Sequence, residues 1–335
     1  MGLRRLTGEH LARSALVLVV LVIPLGFAGA WGLSKVTDSP TTIHGRVSED
    51  GGWHPETLRA AVGTPLRLRL VSDDVVHGFA VGRSDSPAID LPPGKVVDTT
   101  LTFSEPGTYT YYCTRWCGPN HWRMRGVIEV TGGQPAAPAA PEPLYVTLGI
   151  DIDAEHPAAV VPDVPPSAAR GEALGVELSE GIRSRQDFVR RSPSEIWRAL
   201  RRDPSTAGLS DPDVWDLVAL LWWSTTSPDA LSDGQALYAR NCAACHGENG
   251  GGDGVMSKPA VPSTSPAHDS ANHAATPADF TDRSKMLGAS SALLQGKILR
   301  GGMGTGMPYW GPILTEAQMW ALTDFLWTFQ FEVSS

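Results

Sequence analysis

The spacing of apolar residues changes character three times along the chain. Residues 14–34 carry no charge over 21 positions. A helix of that length spans ~31 Å, about one bilayer core. Between 40 and 130 the period is two. Leu66-Arg-Leu-Arg-Leu70 alternates strictly, and short β-rich runs at 96–103, 108–112 and 127–130 are divided by Pro-Gly or Gly turns. Some ninety residues of this kind predict a small all-β sandwich or Greek-key barrel. A Pro/Ala/Gly spacer, TGGQPAAPAAPEP at 131–143, follows. From about residue 180 the period is helical. The organisation expected is an N-terminal segment and transmembrane anchor (1–35), a β domain (36–130), a linker (131–144) and two helical regions (145–230 and 231–335).

The helical part contains an internal echo. Leu209-Ser-Asp-Pro-Asp-Val-Trp-Asp-Leu-Val-Ala-Leu-Leu-Trp222 aligns with Leu314-Thr-Glu-Ala-Gln-Met-Trp-Ala-Leu-Thr-Asp-Phe-Leu-Trp327. Each opens with Ser or Thr at an N-cap and an acid in the first turn, then turns apolar at helical spacing. Upstream, Ile196-Trp-Arg198 matches Ile298-Leu-Arg300 at nearly the same offset. The pattern reads as a degenerate repeat of one helical unit, whose first copy has no cysteine.

Length and charge narrow the picture. A chain of 335 residues suggests two or three domains, and its 42% hydrophobic content excludes a wholly disordered protein. The formal charge of −9 argues against nucleic acid as a partner. Arg4, Arg5 and Arg13 precede the apolar run, which keeps the N-terminus cytoplasmic and exports the rest. Ala28-Gly-Ala30 offers a competing signal-peptide cleavage site, but the apolar run exceeds the usual ~7–15 residues, so a retained single-pass anchor is expected. Acidic residues concentrate in 131–230, either as a solvated face or as a docking face for a basic partner.

All four cysteines fall in two close pairs, Cys113/Cys117 and Cys242/Cys245. Such pairs point to bound metal or cofactor. Cys113-Thr-Arg-Trp-Cys117-Gly-Pro-Asn-His121-Trp-Arg-Met124 puts two thiolates, an imidazole and a thioether on one loop between strands. Asp74-Val-Val-His77 supplies a second imidazole from an earlier strand end. Soft sulfur with imidazole suits copper, and a second Cys allows two thiolates to bridge two ions, each completed by one His. A Cys2His2 zinc site, a copper chaperone with C-x3-C, and a plain disulfide are the alternatives. None of them gives Met124 a role. Trp116 and Trp122 are expected beside the site and partly exposed.

The pattern C-x3-C-x3-H-x2-M, with D-x-x-H upstream on a β framework, resembles the binuclear CuA domain of cytochrome oxidase subunit II over residues 40–130. The resemblance implies a cupredoxin fold and, as copper ligands, His77, Cys113, Cys117, His121, Met124 and the backbone carbonyl of Arg115. Most members of that family have Glu or Gln where Arg115 stands. A backbone ligand survives the change; a carboxylate for a nearby magnesium does not. The aromatic run usual before the copper domain is also missing, with only Trp53 in Gly51-Gly-Trp-His-Pro55 nearby, so the route by which electrons arrive does not carry over.

Cys242-Ala-Ala-Cys245-His246 is the attachment signature of a c-type haem, with two thioethers and His246 as proximal ligand. A helix over 232–241 is expected to lead into it. Gly301-Gly-Met-Gly-Thr-Gly-Met-Pro308 offers Met303 and Met307 as sixth ligand. Residues 233–329 resemble bacterial class I cytochrome c, in which the Met before Pro binds iron; this implies Met307. His/Met ligation raises the haem potential. His268 and His273 lie in a Gly/Pro/Ser-rich stretch and are expected to be solvated. Residues 145–230 read as a haemless cytochrome-like spacer.

An anchored CuA domain fused to cytochrome c resembles subunit II of a haem–copper terminal oxidase, and a single anchor resembles the B-type enzymes. The resemblance implies a bacterial cell-membrane protein with its metal domains on the outer, periplasmic face. Its implied partners are a soluble cytochrome or upstream complex as donor and a polytopic catalytic subunit as acceptor. Oxygen chemistry would belong to that partner, with no catalytic residue on this chain. The alternatives are the small subunit of a CuA-containing nitric oxide reductase and a free-standing membrane-anchored carrier.

Overall fold

The computed structural model describes residues 39–84, 86–118, 121–133, 142–178, 180–257, 276–302 and 307–332. The expected anchor at 14–34, His10, Met303, His268, His273 and most of the linker lie outside these residues. Among the described residues no helix is long and apolar enough to cross a membrane.

The first half is a two-sheet sandwich. One sheet has the order β2-β1-β4-β7, from β1 (Thr41–Gly45), β2 (Trp53–His54), β4 (Leu66–Ser72) and β7 (Val96–Leu101). The other runs β3-β9-β8-β5-β6, from β3 (Thr57–Ala61), β5 (His77–Val81), β6 (Ile89–Leu91), β8 (Gly107–Cys113) and β9 (Arg125–Thr131). The β1–β4 and β3–β9 pairs are parallel and the others antiparallel, so the chain crosses between sheets. The alternation in β4 does what it predicts: Leu68 and Leu70 are fully buried while Arg67 and Arg69 face solvent. Arg69 pairs across the sheet with its register partner Asp98 at 2.9 Å. The core between the sheets is Ile43, Trp53, Leu68, Leu70, Phe79, Tyr111 and Ile128. At Gly126 a Cβ would lie 2.2 Å from the ring of Tyr111, its register partner, so only glycine fits beneath that ring.

The second half is helical. Its longest elements are α1 (Asp211–Thr225), α2 (Pro228–Asn241), α3 (Ser291–Arg300) and α4 (Glu316–Leu326). Helix α2 begins four residues before the expected start, because Ser227 caps Ala230 and Pro228 sits at the first turn, where its missing N–H costs nothing. The echoed segments both open with complete capping boxes, Ser210 with Asp213 and Thr315 with Gln318.

The echo extends into packing. Gly234 of α2 brings that helix against α4, where a Cβ would lie 2.2 Å from the Ala321 carbonyl. Gly171, in the short helix Ala168–Ala173, makes the same approach to α1, 2.3 Å from the Asp216 carbonyl. Asp216 and Ala321 hold equivalent places in the sequence alignment. So do Trp222 and Trp327, both fully buried and both packed on Phe331, at 5.4 and 5.9 Å. Among the described residues, buried side chains from Ile152 to Phe331 share one continuous apolar cluster.

Candidate metal and haem sites

The loop after β8 and the start of β5 bring the six expected copper donors together. Cys113 ends β8 and His77 begins β5; the two sheet strands are adjacent, and the Cys113 Sγ lies 3.8 Å from His77 Nδ1. The Sγ atoms of Cys113 and Cys117 are 4.0 Å apart. Cys117 Sγ lies 3.5 Å from His121 Nδ1 and 3.2 Å from Met124 Sδ. The Arg115 carbonyl turns inward to 3.2 Å from Cys113 Sγ. The cysteines are free. A disulfide requires ~2.05 Å, whereas sulfurs 4.0 Å apart can share an ion at ordinary metal–thiolate distances of about 2.3 Å. The donor set therefore fits soft metal held between two sulfurs.

Electrostatics favour cation binding here. Hydrogen bonding from Cys117, against burial and with help from His121 and His77, holds the Cys113 thiol well below its ordinary range. The same contact, with burial and the thiolate's charge, pushes Cys117 upward. Two sulfurs so close share one negative charge until a cation makes the second thiolate favourable. Gly78 N–H also donates to Cys113 Sγ, at 3.4 Å. The buried His77 ring is held by its other nitrogen, 2.7 Å from Asp74 Oδ1. Burial resists ionisation of Asp74, but donation from the Val47 and Val75 backbone and from His77 outweighs it and holds the carboxylate below its ordinary range. This outer contact fixes the imidazole's orientation, as is usual behind a metal-binding His.

Trp53, noted in the sequence only as a lone aromatic, supports the site from behind. It is buried, its indole N–H donates to the Met124 carbonyl at 3.2 Å, and its ring packs on His77, Phe79 and Tyr111. Trp53→Ala is expected to cost ~3–5 kcal/mol, measured by denaturant unfolding, and to weaken copper retention on dialysis. Trp116 is 54% exposed beside the loop, and Trp122 is half-buried. Arg115 is held by a bidentate pair to Asp90, at 2.8 and 2.6 Å.

The helical half carries three of the expected haem donors on one turn. Cys242 closes α2, and Ala243–His246 forms one further turn carrying Cys245 and His246. Burial raises both thiols, Cys242 to about 12 with help from Cys245. The His246 ring stacks on Phe280 at 4.5 Å, and its Nδ1 lies 3.0 Å from the Ala278 carbonyl. Burial lowers the His246 pKa although that carbonyl opposes it. A neutral imidazole donating from Nδ1 has Nε2 left as the acceptor, the form in which His binds iron. Met307 packs on the same apolar cluster as Cys242, and its carbonyl accepts from Gly302 N at 3.2 Å. Two thiols and an imidazole in the ligating tautomer, carried on one turn, fit a covalently held haem.

The remaining described histidines are spread apart. His44 pairs with Asp73, His54 is exposed on β2, and His156 lies against the Asp151 carbonyl. Between the two donor sets runs a cleft of about 1010 Å³, lined by Tyr112, Arg115 and Trp116 on one side and Leu237, Arg240 and Ala244 on the other. The copper loop and the cysteine-bearing turn therefore open onto the same space.

Residues 56–131 match the family described as cytochrome c oxidase subunit II, periplasmic domain, and residues 231–330 match cytochrome c. Two curated proteins from Thermus thermophilus, each named cytochrome c oxidase subunit 2, are 33% identical over 79 residues, 24% of this chain. The chain spans about half the length of these relatives, 58% of one and 46% of the other. Among solved structures, the periplasmic domain of cytochrome oxidase subunit II from Bradyrhizobium japonicum is 20% identical, with a TM-score of 0.25, covering 28% of this chain and 84% of that one. A subunit of a heme-copper terminal oxidase dimer is 21% identical, with a TM-score of 0.24, covering 36% and 99%.

Proposed function

We propose that this chain, which joins a cytochrome c oxidase subunit II domain to a cytochrome c domain, is the electron-transferring subunit of a haem–copper terminal oxidase. The observation that carries this reading is the convergence of His77, Cys113, the Arg115 carbonyl, Cys117, His121 and Met124 at one point. The same chain holds Cys242, Cys245, His246 and Met307 as a haem-binding set. When bound, a binuclear copper centre and one c-type haem supply reversible one-electron exchange.

The chain's own residues do the rest. Asp74 and Ala278 fix the orientations of the His77 and His246 imidazoles, and the apolar β core keeps water from Cys113 and His77. Asp90 holds Arg115, and with it the inward carbonyl, in place. The copper loop and the haem turn line one cleft. The subunit II family places the β domain outside the cytoplasm, and a polytopic catalytic subunit in the membrane is the acceptor that this role requires. Residues 145–230 are read as a haemless copy of the cytochrome unit; the matched Gly171/Gly234 crossings and the Trp222/Trp327 pair support that reading.

The chain alone is expected to take up electrons from a small reductant and to reoxidise only slowly in air. Oxygen and nitric oxide consumption are measured for the chain alone and for the complex with its membrane partner. Oxygen consumption confined to the complex supports the reading. Steady consumption by the isolated chain above a metal-free control overturns it, and turnover of nitric oxide alone would assign the complex to the reductases.

A further inference from the structure

We infer that the β domain clamps the loop bearing Met307, so that Gly82 and Arg83 act as positioning residues for the sixth ligand of the haem; this rests on the reading of Met307 above. The sequence leading into Met307, Gly301-Gly-Met-Gly-Thr-Gly306, has four glycines in six residues.

What fixes the loop comes from two sides. On the helical side, Gly302 N donates to Met307 O at 3.2 Å, Trp310 N to Ile298 O at 3.4 Å and Gly311 N to Leu299 O at 3.0 Å. The other side is the β domain. Arg83 N donates to Ile313 O at 3.0 Å, Arg83 Nη2 to Gly311 O at 2.7 Å and Arg125 Nη1 to Tyr309 O at 3.1 Å. Alternate carbonyls of 309–313 are thus taken in turn by two arginines of the other domain. Bonds from a guanidinium are the stronger kind.

Gly82 and Arg83 are shaped for this contact. Gly82 follows β5, and its N–H donates to Thr110 O at 2.7 Å, which fixes it to the sheet. A Cβ there would lie 2.7 Å from Ile313 Cα and 2.8 Å from Ile313 O, so the two backbones touch directly. Arg83 has φ of 55°, a left-handed turn that aims both its N–H and its side chain at the one loop. The Arg125 guanidinium also lies over the Trp310 ring, 6.0 Å from its centroid. Arg125 directly follows Met124, which ties the clamp to the copper loop in sequence. Lifting the domains apart would return three carbonyls to water and leave the Met307 loop held from the helical side only. Domain docking and haem ligation are then one linked equilibrium.

The test uses the full chain loaded with haem and copper. Gly82→Ala pushes the Ile313 backbone away, and Arg83→Ala removes the guanidinium bond; Arg83→Lys retains a cation. The readouts are carbon monoxide binding to reduced haem, the reduction potential, and the copper paramagnetic signal. Gly82→Ala and Arg83→Ala are each expected to raise carbon monoxide-reactive haem roughly tenfold, with Arg83→Lys between them and wild type and the copper signal unchanged. Wild-type reactivity in both variants, while Met307→Ala is reactive, overturns the clamp. Loss of the copper signal together with ligation in both also overturns it, because the residues would then be general supports of the β domain. An unreactive Met307→Ala brings down the ligand assignment itself, and that variant identifies the failure.

Discussion

Cys117→Ser is expected to abolish the binuclear copper centre. The wild-type chain should hold two coppers and give the delocalised signal of one unpaired electron spread over both. The variant should keep at most one copper, with the four-line pattern of a mononuclear site and a changed colour. The reason lies in which donors Cys117 joins. Its sulfur is within 4.0 Å of Cys113 Sγ, 3.5 Å of His121 Nδ1 and 3.2 Å of Met124 Sδ, so three of the other donors meet through it. Serine is nearly the same size, but its oxygen is hard and stays protonated at neutral pH, so it does not replace a thiolate for copper. Cys113 keeps His77 and the Arg115 carbonyl beside it, enough donors for one ion. Copper analysis with paramagnetic resonance decides it. One copper per chain in the wild type, or two in Cys117→Ser, would defeat the bridging assignment.

The copper loop was legible because four donors fall within twelve residues and their types differ: two thiolates, one imidazole and one thioether leave few other chemistries. His77 was legible through Asp74, whose carboxylate does meet the ring. Strand β4 was plain from its Leu/Arg alternation. Strands β1 and β3 were not, since Thr41–Gly45 and Thr57–Ala61 are short, partly exposed and carry His44 and Arg59 among small residues. The short helix Ala168–Ala173 escaped notice for a similar reason. Its packing signal is a single glycine whose partner is a backbone carbonyl far along the chain. Trp53 gave no pattern because its role comes from the fold, which sets it beneath His77 and Met124. The contacts of Arg83 and Arg125 could not be read at all. Guanidinium bonds to main-chain oxygens leave no mark on the identity of the accepting residue, and tertiary packing alone brings 83 and 125 to 309–313.

Met307→Ala separates haem attachment from haem ligation. Attachment depends on Cys242 and Cys245, which sit on one helical turn reached from α2, and on His246, held through its Nδ1 by Ala278 and by stacking on Phe280. Met307 comes from a different loop, after α3. The haem should therefore remain covalently bound after denaturation and extraction. What changes is the sixth position. A thioether favours the reduced iron, so His/Met ligation raises the potential. Its loss should lower the potential by more than ~59 mV, the one-electron equivalent of a tenfold shift. The reduced haem should also bind carbon monoxide, which the six-coordinate form excludes. Met303 stands four residues earlier in the same glycine-rich run, outside the described residues, and supplies the control. If Met303→Ala alone opens the iron and lowers the potential, the ligand is Met303, and the tie between the β domain and 309–313 no longer bears on the haem.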